Sequence, residues 1–399
     1  MCDASQLPNI PSSTLPTKQG VIGPSPLHPP RITNVQVVDF DRDGKLDVIA
    51  CDARQNCLFW YRQHIDQQWE EHILGKDLPA PANATVVDLD HDGDRDVIVS
   101  VLGDIQPNDE RVGRVVLLEN LGDDFQVRYL LDDIRRVADV QVGDLDGDGD
   151  LDLVVAIFGY GHGKILWLEN QGQLRFQDRL LLSAAGTIHV PLADYDQDGD
   201  LDVAAVVSQD SEQVWAFENL GGGNFSPREI YATVNFDLGS AGLVKSDLDG
   251  DGDVDLLLPT GDNLEDMYSY PQSYHGCLWL ENQGGWKFET HRIAQFGGTY
   301  AAAPGDLDGD GDQDVVLVSM LNGWYQDEAP TIAWLENDGQ QNFRTWGFAE
   351  GPTHLVTVAC GDLNGDGRDD IVCGGLHLWK PFDRMGRITS WISNPREAP

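Results

Sequence analysis

The apolar residues of this chain fall in short runs without a helical period. Asp-Val-Ile-Val-Ser at 96–100 and Asp-Leu-Val-Val-Ala at 152–156 are β-branched or aliphatic almost throughout, as expected of strands buried on both faces. A second run, Leu-Trp-Leu-Glu-Asn-Gln-Gly, stands at 166–172 and again at 278–284, with variants at Val116–Gly122, Ala216–Gly221 and Ala333–Gly339. Its Asn-x-Gly step predicts a tight hairpin, and Phe125, Phe176, Phe225, Phe288 or Phe343 opens the strand beyond it. The pattern returns with a period of roughly 50 residues, which signals a propeller or solenoid rather than several unrelated domains.

Each repeat predicts four strands. Strand 1 ends in an aspartate, a polar loop turns into strand 2, the Glu-Asn hairpin joins strands 3 and 4, and a connector leads onward. Such a meander is a propeller blade. Seven of them predict an all-β, seven-bladed β-propeller over residues 15–399, preceded by a disordered segment at 1–14. The last repeat stops after strand 3 at Trp391–Asn394, while Lys18–Gly23 resembles the fourth-strand segment Glu71–Lys76. The N-terminal strand is therefore expected to complete the last blade, closing the ring and removing its free edges. Trp60, Trp167, Trp279, Trp334 and Trp391 share one column of strand 3 and read as core between blades.

The polar loop between strands 1 and 2 carries the chemistry. Seven times it reads Asp-x-Asp/Asn-x-Asp-Gly-x-x-Asp. Positions 1, 3, 5 and 9 are Asp39, Asp41, Asp43 and Asp47 in loop 1, then Asp88, Asp90, Asp92 and Asp96 in loop 2. Loop 3 has Asp144, Asp146, Asp148 and Asp152, and loop 4 has Asp194, Asp196, Asp198 and Asp202. Loop 5 has Asp247, Asp249, Asp251 and Asp255, loop 6 has Asp306, Asp308, Asp310 and Asp314, and loop 7 has Asp362, Asn364, Asp366 and Asp370. Carboxylates at this spacing around a glycine wrap several oxygens about one hard cation, and calcium suits that donor set best, up to one ion per blade. Position 7 is Lys45, Asp94, Asp150, Asp200, Asp253, Asp312 and Arg368, a scatter expected where the backbone carbonyl is the ligand and the side chain is free to vary. The helix-loop-helix calcium hand begins alike but needs an acid at position 12, where this chain has Ala50, Val99 and Val155.

The formal charge of −41 arises largely here, since the loops hold about half of the 67 acidic residues. The balance remains acidic and has no basic stripe, which makes nucleic acid and anionic membrane poor partners. No apolar stretch reaches transmembrane length, and 1–13 lacks the build of a secretory signal. The loops point to a calcium-rich location, extracellular, at the cell surface or periplasmic. Cys2 has the position of a lipid-bearing first residue of a mature lipoprotein, or begins an ordinary disordered start. Cys360 and Cys373 flank loop 7 on facing strands, where either a pair or free core thiols would fit.

On these motifs the chain resembles the FG-GAP or VCBS repeat family, calcium-bearing seven-bladed propellers also seen in integrin alpha-subunit heads. The likeness covers roughly residues 15 to 394 and implies a calcium ligand set in all seven loops, weakest in loop 7 where Asn364 departs from the motif. Ser208–Val214 and Gly261–Asn282 also look like long VCBS-repeat proteins from environmental bacteria, some fused to cytochrome domains.

In such a meander the metal loops and Glu-Asn hairpins share one face, and the strand 2–3 loops and connectors share the other. The longest loops of that second face carry Tyr268, Tyr270, Tyr274, His275, Trp324, Tyr325, His377 and Trp379, with Asp262, Glu265, Asp266, Asp327, Glu328 and Asp383 among them. A ligand surface for protein or polysaccharide is drawn from Tyr268, Tyr274, His275, Trp324, Tyr325 and Trp379; mutual packing of the loops is the plain alternative. Five positions before each first aspartate, the channel column reads Asn34, Asn83, Asp139, His189, Gly242, Ala301 and Thr357. Asp139 and His189 offer an acid–base couple if the protein is an enzyme; solvated channel lining is the alternative. Three functions follow: a non-catalytic binding or adhesion module, a carbohydrate-active lyase or dehydratase, or a structural, homo-oligomeric subunit of an extracellular or redox assembly.

Overall fold

The apolar runs form the inner strands of every blade. Asp47–Asp52, Asp96–Val101, Asp152–Ile157, Asp255–Thr260, Asp314–Ser319 and Asp370–Gly375 are buried at every position, whereas outer strands such as Phe176–Leu182 are mostly exposed. The computed structural model describes residues 8–65, 68–106, 108–122, 124–209, 211–262, 271–324 and 329–394. Their strands make seven four-stranded antiparallel sheets, each a simple meander. Blade 1, for instance, consists of Ile32–Val38, Asp47–Asp52, Cys57–Gln63 and Trp69–Gly75. In blade 4 the innermost strand shrinks to Leu192–Ala193, because Pro191 has no N–H to give the ladder. No helix among the described residues is long and apolar enough to cross a membrane.

Blade 7 is composite. Leu355–Gly361, Asp370–Gly375 and Ile388–Ser393 supply three strands, and Thr17–Ile22 pairs antiparallel with the third from Thr17↔Ser393 to Ile22↔Ile388. The ring is thus closed by the expected N-terminal strand. Residues 10–13, ahead of the expected start of the propeller, contact blade 6. Gly347 of blade 6 donates to the Pro11 carbonyl and accepts from the Ser13 N–H, both at 2.7 Å, and Ile10 packs on the core between blades 5 and 6.

Successive blades share apolar cores. Trp167 lies between blades 3 and 4, Trp279 between 5 and 6, and Trp334 between 6 and 7, each facing the following blade, and Trp60 packs likewise toward blade 2. Trp391 departs from that column. In the other four blades the first residue of strand 2 after the loop pairs with the residue following the tryptophan, as Val315 does with Leu335; in blade 7 its counterpart Ile371 pairs with Trp391 itself. One residue of register turns a side chain to the opposite face of a sheet. Trp391 therefore faces back into the same interface that Trp334 enters from blade 6. Cys51, Cys57, Cys277, Cys360 and Cys373 are all free thiols.

Candidate metal loops and the face opposite them

The seven loops fold alike through their own backbone. In each, the position-6 glycine has positive φ and donates its N–H to Oδ2 of the first aspartate at 2.8 to 3.1 Å. The N–H of position 5 turns to the side-chain oxygen of position 3, and that of position 7 to position 5, so the side chains converge on the loop interior. Position 4 is also left-handed, a conformation glycine takes freely but Arg42, His91 and Gln197 take under strain.

The position-9 aspartate joins the loop to the rest of its blade. Its Oδ2 accepts the position-2 N–H at 2.9 to 3.3 Å, and its Oδ1 accepts the N–H of the hairpin residue Gln63, Asn120, Asn170, Asn219, Asn282, Asn337 or Ser393 at 2.7 to 2.9 Å. Burial raises these carboxyls, Asp96, Asp152, Asp255 and Asp370 to about 6 and Asp202 and Asp314 to about 7. Asp47 rises too, and the indole N–H groups of the tryptophan column oppose the rise at Asp47, Asp152, Asp255 and Asp314.

The donor set was tested against a hard cation. In loops 2, 3 and 4 the carboxylates at positions 1, 3 and 9 bring oxygens within 4.8 Å of one another, and in loop 1 positions 1, 3 and 5 do so. Asp88 Oδ1 and Asp39 Oδ1 are buried and accept no hydrogen bond. A buried carboxylate oxygen without a donor is costly unless a cation meets it, so these residues fit calcium. The position-7 side chain is not idle, as its scatter had implied. In loops 3 to 6 the carboxylate rests against the Asn-x-Gly glycine, where a Cβ at Gly172 would lie 3.6 Å from Asp150 Oδ2. In loop 1 Lys45 Nζ stands 2.9 Å from Asp43 Oδ2, joined by Arg62 at 2.6 Å from Asp41, and in loop 7 Arg368 stands 2.8 Å from Asp366.

The Glu-Asn column does more than turn a hairpin. In blades 4 and 5 the asparagine amide crosses to the preceding loop, Asn219 to the Leu145 carbonyl and Asn282 to that of Tyr195, both at 2.8 Å, and Gln63 reaches Leu363 in the same way. The glutamates meet strand 4: Glu119 with Arg128 at 2.7 Å, Glu281 with His291 at 2.6 Å, Glu169 with Arg179, Glu218 with Arg228, and Glu336 with the Trp346 indole.

With this geometry the affiliation follows. FG-GAP-like repeats match residues 29–99, 144–205, 194–258, 260–317 and 317–373, well over half of the chain and all seven loops. The chain belongs to the FG-GAP-like repeat family. No curated protein sequence matches it. Among solved structures it is similar to BBS1N in complex with ARL6DN, in a lead-soaked crystal (9% identity, TM-score 0.58) and a mercury-soaked one (10%, 0.58), each covering 97% of this chain and 99% of that one. At such identity the likeness concerns the fold.

On the opposite face the drawn ligand surface is narrower than expected. His275 is fully buried, its Nδ1 accepting the Gly298 N–H at 2.9 Å, and Trp324 is buried with its indole N–H on the Met320 carbonyl. Tyr274 is half-buried against His275, and His377 is buried beside His354. Trp379 is 43% exposed. Tyr268, Tyr270, Tyr325, Glu265, Asp266, Asp327 and Glu328 lie outside the described residues. In the channel Asp139 is buried and structurally engaged: Oδ1 accepts from Asn83 and Gln141, and Oδ2 from the Val190 N–H. A groove of about 730 Å³ runs between the rims of blades 6 and 7; of its two guanidiniums, Arg384 is committed to the Glu350 and Trp324 carbonyls and Arg387 to Asp52 and Glu71.

Proposed function

We propose that this propeller is a calcium-stabilised, non-catalytic docking module that takes a protein partner on the face opposite the metal loops. The observation that carries the reading is where exposed apolar side chains lie. Leu27, Tyr160, Val234, Phe236, Trp379 and Phe382 stand on strand 2–3 loops or connectors, the described hairpins of the other face show Ile65, Leu121 and Leu220 and no ring, and Val21, Ile73, Val127, Tyr129 and Leu180 are exposed on the outer strands between the two faces. Exposed aromatic and aliphatic groups gathered on one face mark protein contact sites. The likeness to a propeller solved together with ARL6DN is in keeping with docking. Asp139, the acid of the expected catalytic couple, has both oxygens engaged in holding blades together, which favours binding over catalysis. Calcium in the loops and a calcium-rich compartment, extracellular or periplasmic, complete the reading.

The test is retention on immobilised protein in millimolar calcium, offered secreted proteins beside acidic and neutral polysaccharides. A discrete protein should be retained, and Trp379→Ala with Phe382→Ala should abolish retention while leaving the thermal midpoint unchanged. Retention of polysaccharide alone, or retention indifferent to both substitutions, overturns the docking face. An unchanged midpoint in chelator overturns the calcium.

A further inference from the structure

Blades 1 to 6 each carry a covalent hairpin between strands 3 and 4, and in blades 2 to 6 its Asn-x-Gly turn packs beneath the metal loop. Blade 7 has none, because its third strand ends at Ser393 and its fourth is the N-terminal strand. Two chain segments meet where the turn would be, tied by the Asn394 N–H on the Pro16 carbonyl at 2.9 Å. Loop 7 lies directly over that seam.

Its interior is already filled. Arg368 occupies position 7, where loops 2 to 6 have aspartate, and only 6% of its side chain is exposed. Its guanidinium meets Asp366 Oδ2 at 2.8 Å and the Asn394 carbonyl, so one cation joins the loop to the end of strand 3. Asp366 Oδ2 also takes the Ser393 hydroxyl at 2.8 Å. Asn364 stands where the other loops have a carboxylate, and its amide points at Ser393 O and Oγ at 2.9 and 3.0 Å. Asp362 spends Oδ1 on the N–H groups of Gly365 and Asp366 and Oδ2 on that of Gly367. Asp370 holds Leu363 and Ser393. Unlike Asp88, no loop-7 carboxylate oxygen is left buried without a donor among the described residues.

At the other end of strand 3 a second arginine ties blade 7 to blade 1. Arg387 of blade 7 is 4% exposed and reaches across to blade 1, to Asp52 at 3.2 Å and Glu71 at 2.9 Å, lying over the Phe59 ring.

We infer that loop 7 is not a calcium site: Arg368 is its resident cation, and the blade at which the ring closes is independent of the metal the other blades use. A fixed positive charge on the carboxylate that would be the third ligand and a neutral amide in place of the second leave this loop short of the negative charge that a divalent ion requires. The inference rests on the calcium reading of the other loops, and the experiment separates the two.

Native mass spectrometry with calcium chloride as the only metal counts ions per chain. Asp148→Asn in loop 3 should lower the count by one, Asp366→Asn should leave it unchanged, and Asn364→Asp with Arg368→Asp, which gives loop 7 the sequence of its neighbours, should raise it by one. A drop of one in Asp366→Asn overturns the inference and leaves calcium elsewhere standing. A wild-type chain that binds no ion overturns the calcium reading and this inference with it. Because Asp366→Asn also loosens the arginine, Arg368→Ala gives a second readout. Its urea midpoint should fall equally in calcium and in chelator; a fall confined to chelator would mean that calcium takes the vacated place, and would overturn the assignment.

Discussion

Asn83 donates its side-chain amide to Asp139 Oδ1 at 2.6 Å, from the innermost strand of blade 2 to that of blade 3. The other oxygen of the same carboxylate holds the Val190 N–H of blade 4 at 3.0 Å, so one side chain ties three consecutive blades around the channel. Truncation strands buried donors on both sides, and each such loss costs about 1 to 3 kcal/mol. Asp139→Ala should therefore lower the urea midpoint markedly. Asp139→Asn, which keeps one acceptor oxygen, should lower it less.

The position-9 carboxyls give a pH response that depends on metal. Their folded values, about 6 to 7, lie above the ordinary carboxyl range, so the native chain without metal binds protons that the unfolded chain does not. Their contribution to stability is full at low pH and is lost as pH rises through 6 to 7. In chelator, the thermal midpoint should climb as pH is lowered from 8 to 6.5. With calcium saturating the loops, protons compete with the ion and the climb should vanish. Differential scanning fluorimetry at both pH values, with and without chelator, checks the sign.

Three buried imidazoles act in the opposite direction. Burial lowers His275 and His377 to about 4 and His354 to about 3, and the neighbouring His377 lowers His354 further. The unfolded chain takes up these protons first, below about 6.5, so stability falls as pH drops from there toward 4. At pH 5 the loss should be on the order of 2 kcal/mol per ring. Urea unfolding in calcium at pH 7 and pH 5 measures it, and His377→Gln should shrink the difference.

Arg387 and Asp52 are both almost wholly buried. Removing the arginine leaves Asp52 buried without a cation, at about 3 to 5 kcal/mol, whereas removing Asp52 leaves Arg387 its pair with Glu71. Arg387→Ala should destabilise the chain by about that much, and Asp52→Ala by less. The double substitution should cost less than the sum of the two, read from a denaturant double-mutant cycle.

What local chemistry dictates could be read from the residues. The loop motif and the buried run after it repeat seven times and the Asn-x-Gly hairpin five times, and each copy is specified within a few neighbouring positions. The misreadings concern contacts that cross blades. Trp391 aligns with its column by spacing from Asn394, yet strand 3 of blade 7 ends against a separate chain segment rather than a hairpin, and its register differs by one residue. Asp139 looked free to serve a ligand because its partners, Asn83 and Val190, lie about 50 residues away on either side. Arg368 looked like tolerated variation at position 7 because Asn394, which it holds, belongs to the other end of strand 3. His275 and Trp324 have the composition of a binding loop, and only their burial shows that they serve its packing.

The pairing of Thr17 with Ser393 also sets the order of events on the ribosome. The segment that completes blade 7 emerges before the six other blades, and its partner strand after them. Blades 1 to 6 can form in sequence as each meander leaves the exit tunnel, since their strands are neighbours in the chain. The strand Thr17–Ile22 must wait unpaired through the synthesis of six blades, with its ladder edge open. A nascent chain stalled before residue 388 would hold six finished blades and an open ring, and emergence of Ile388–Ser393 would be the step that closes it.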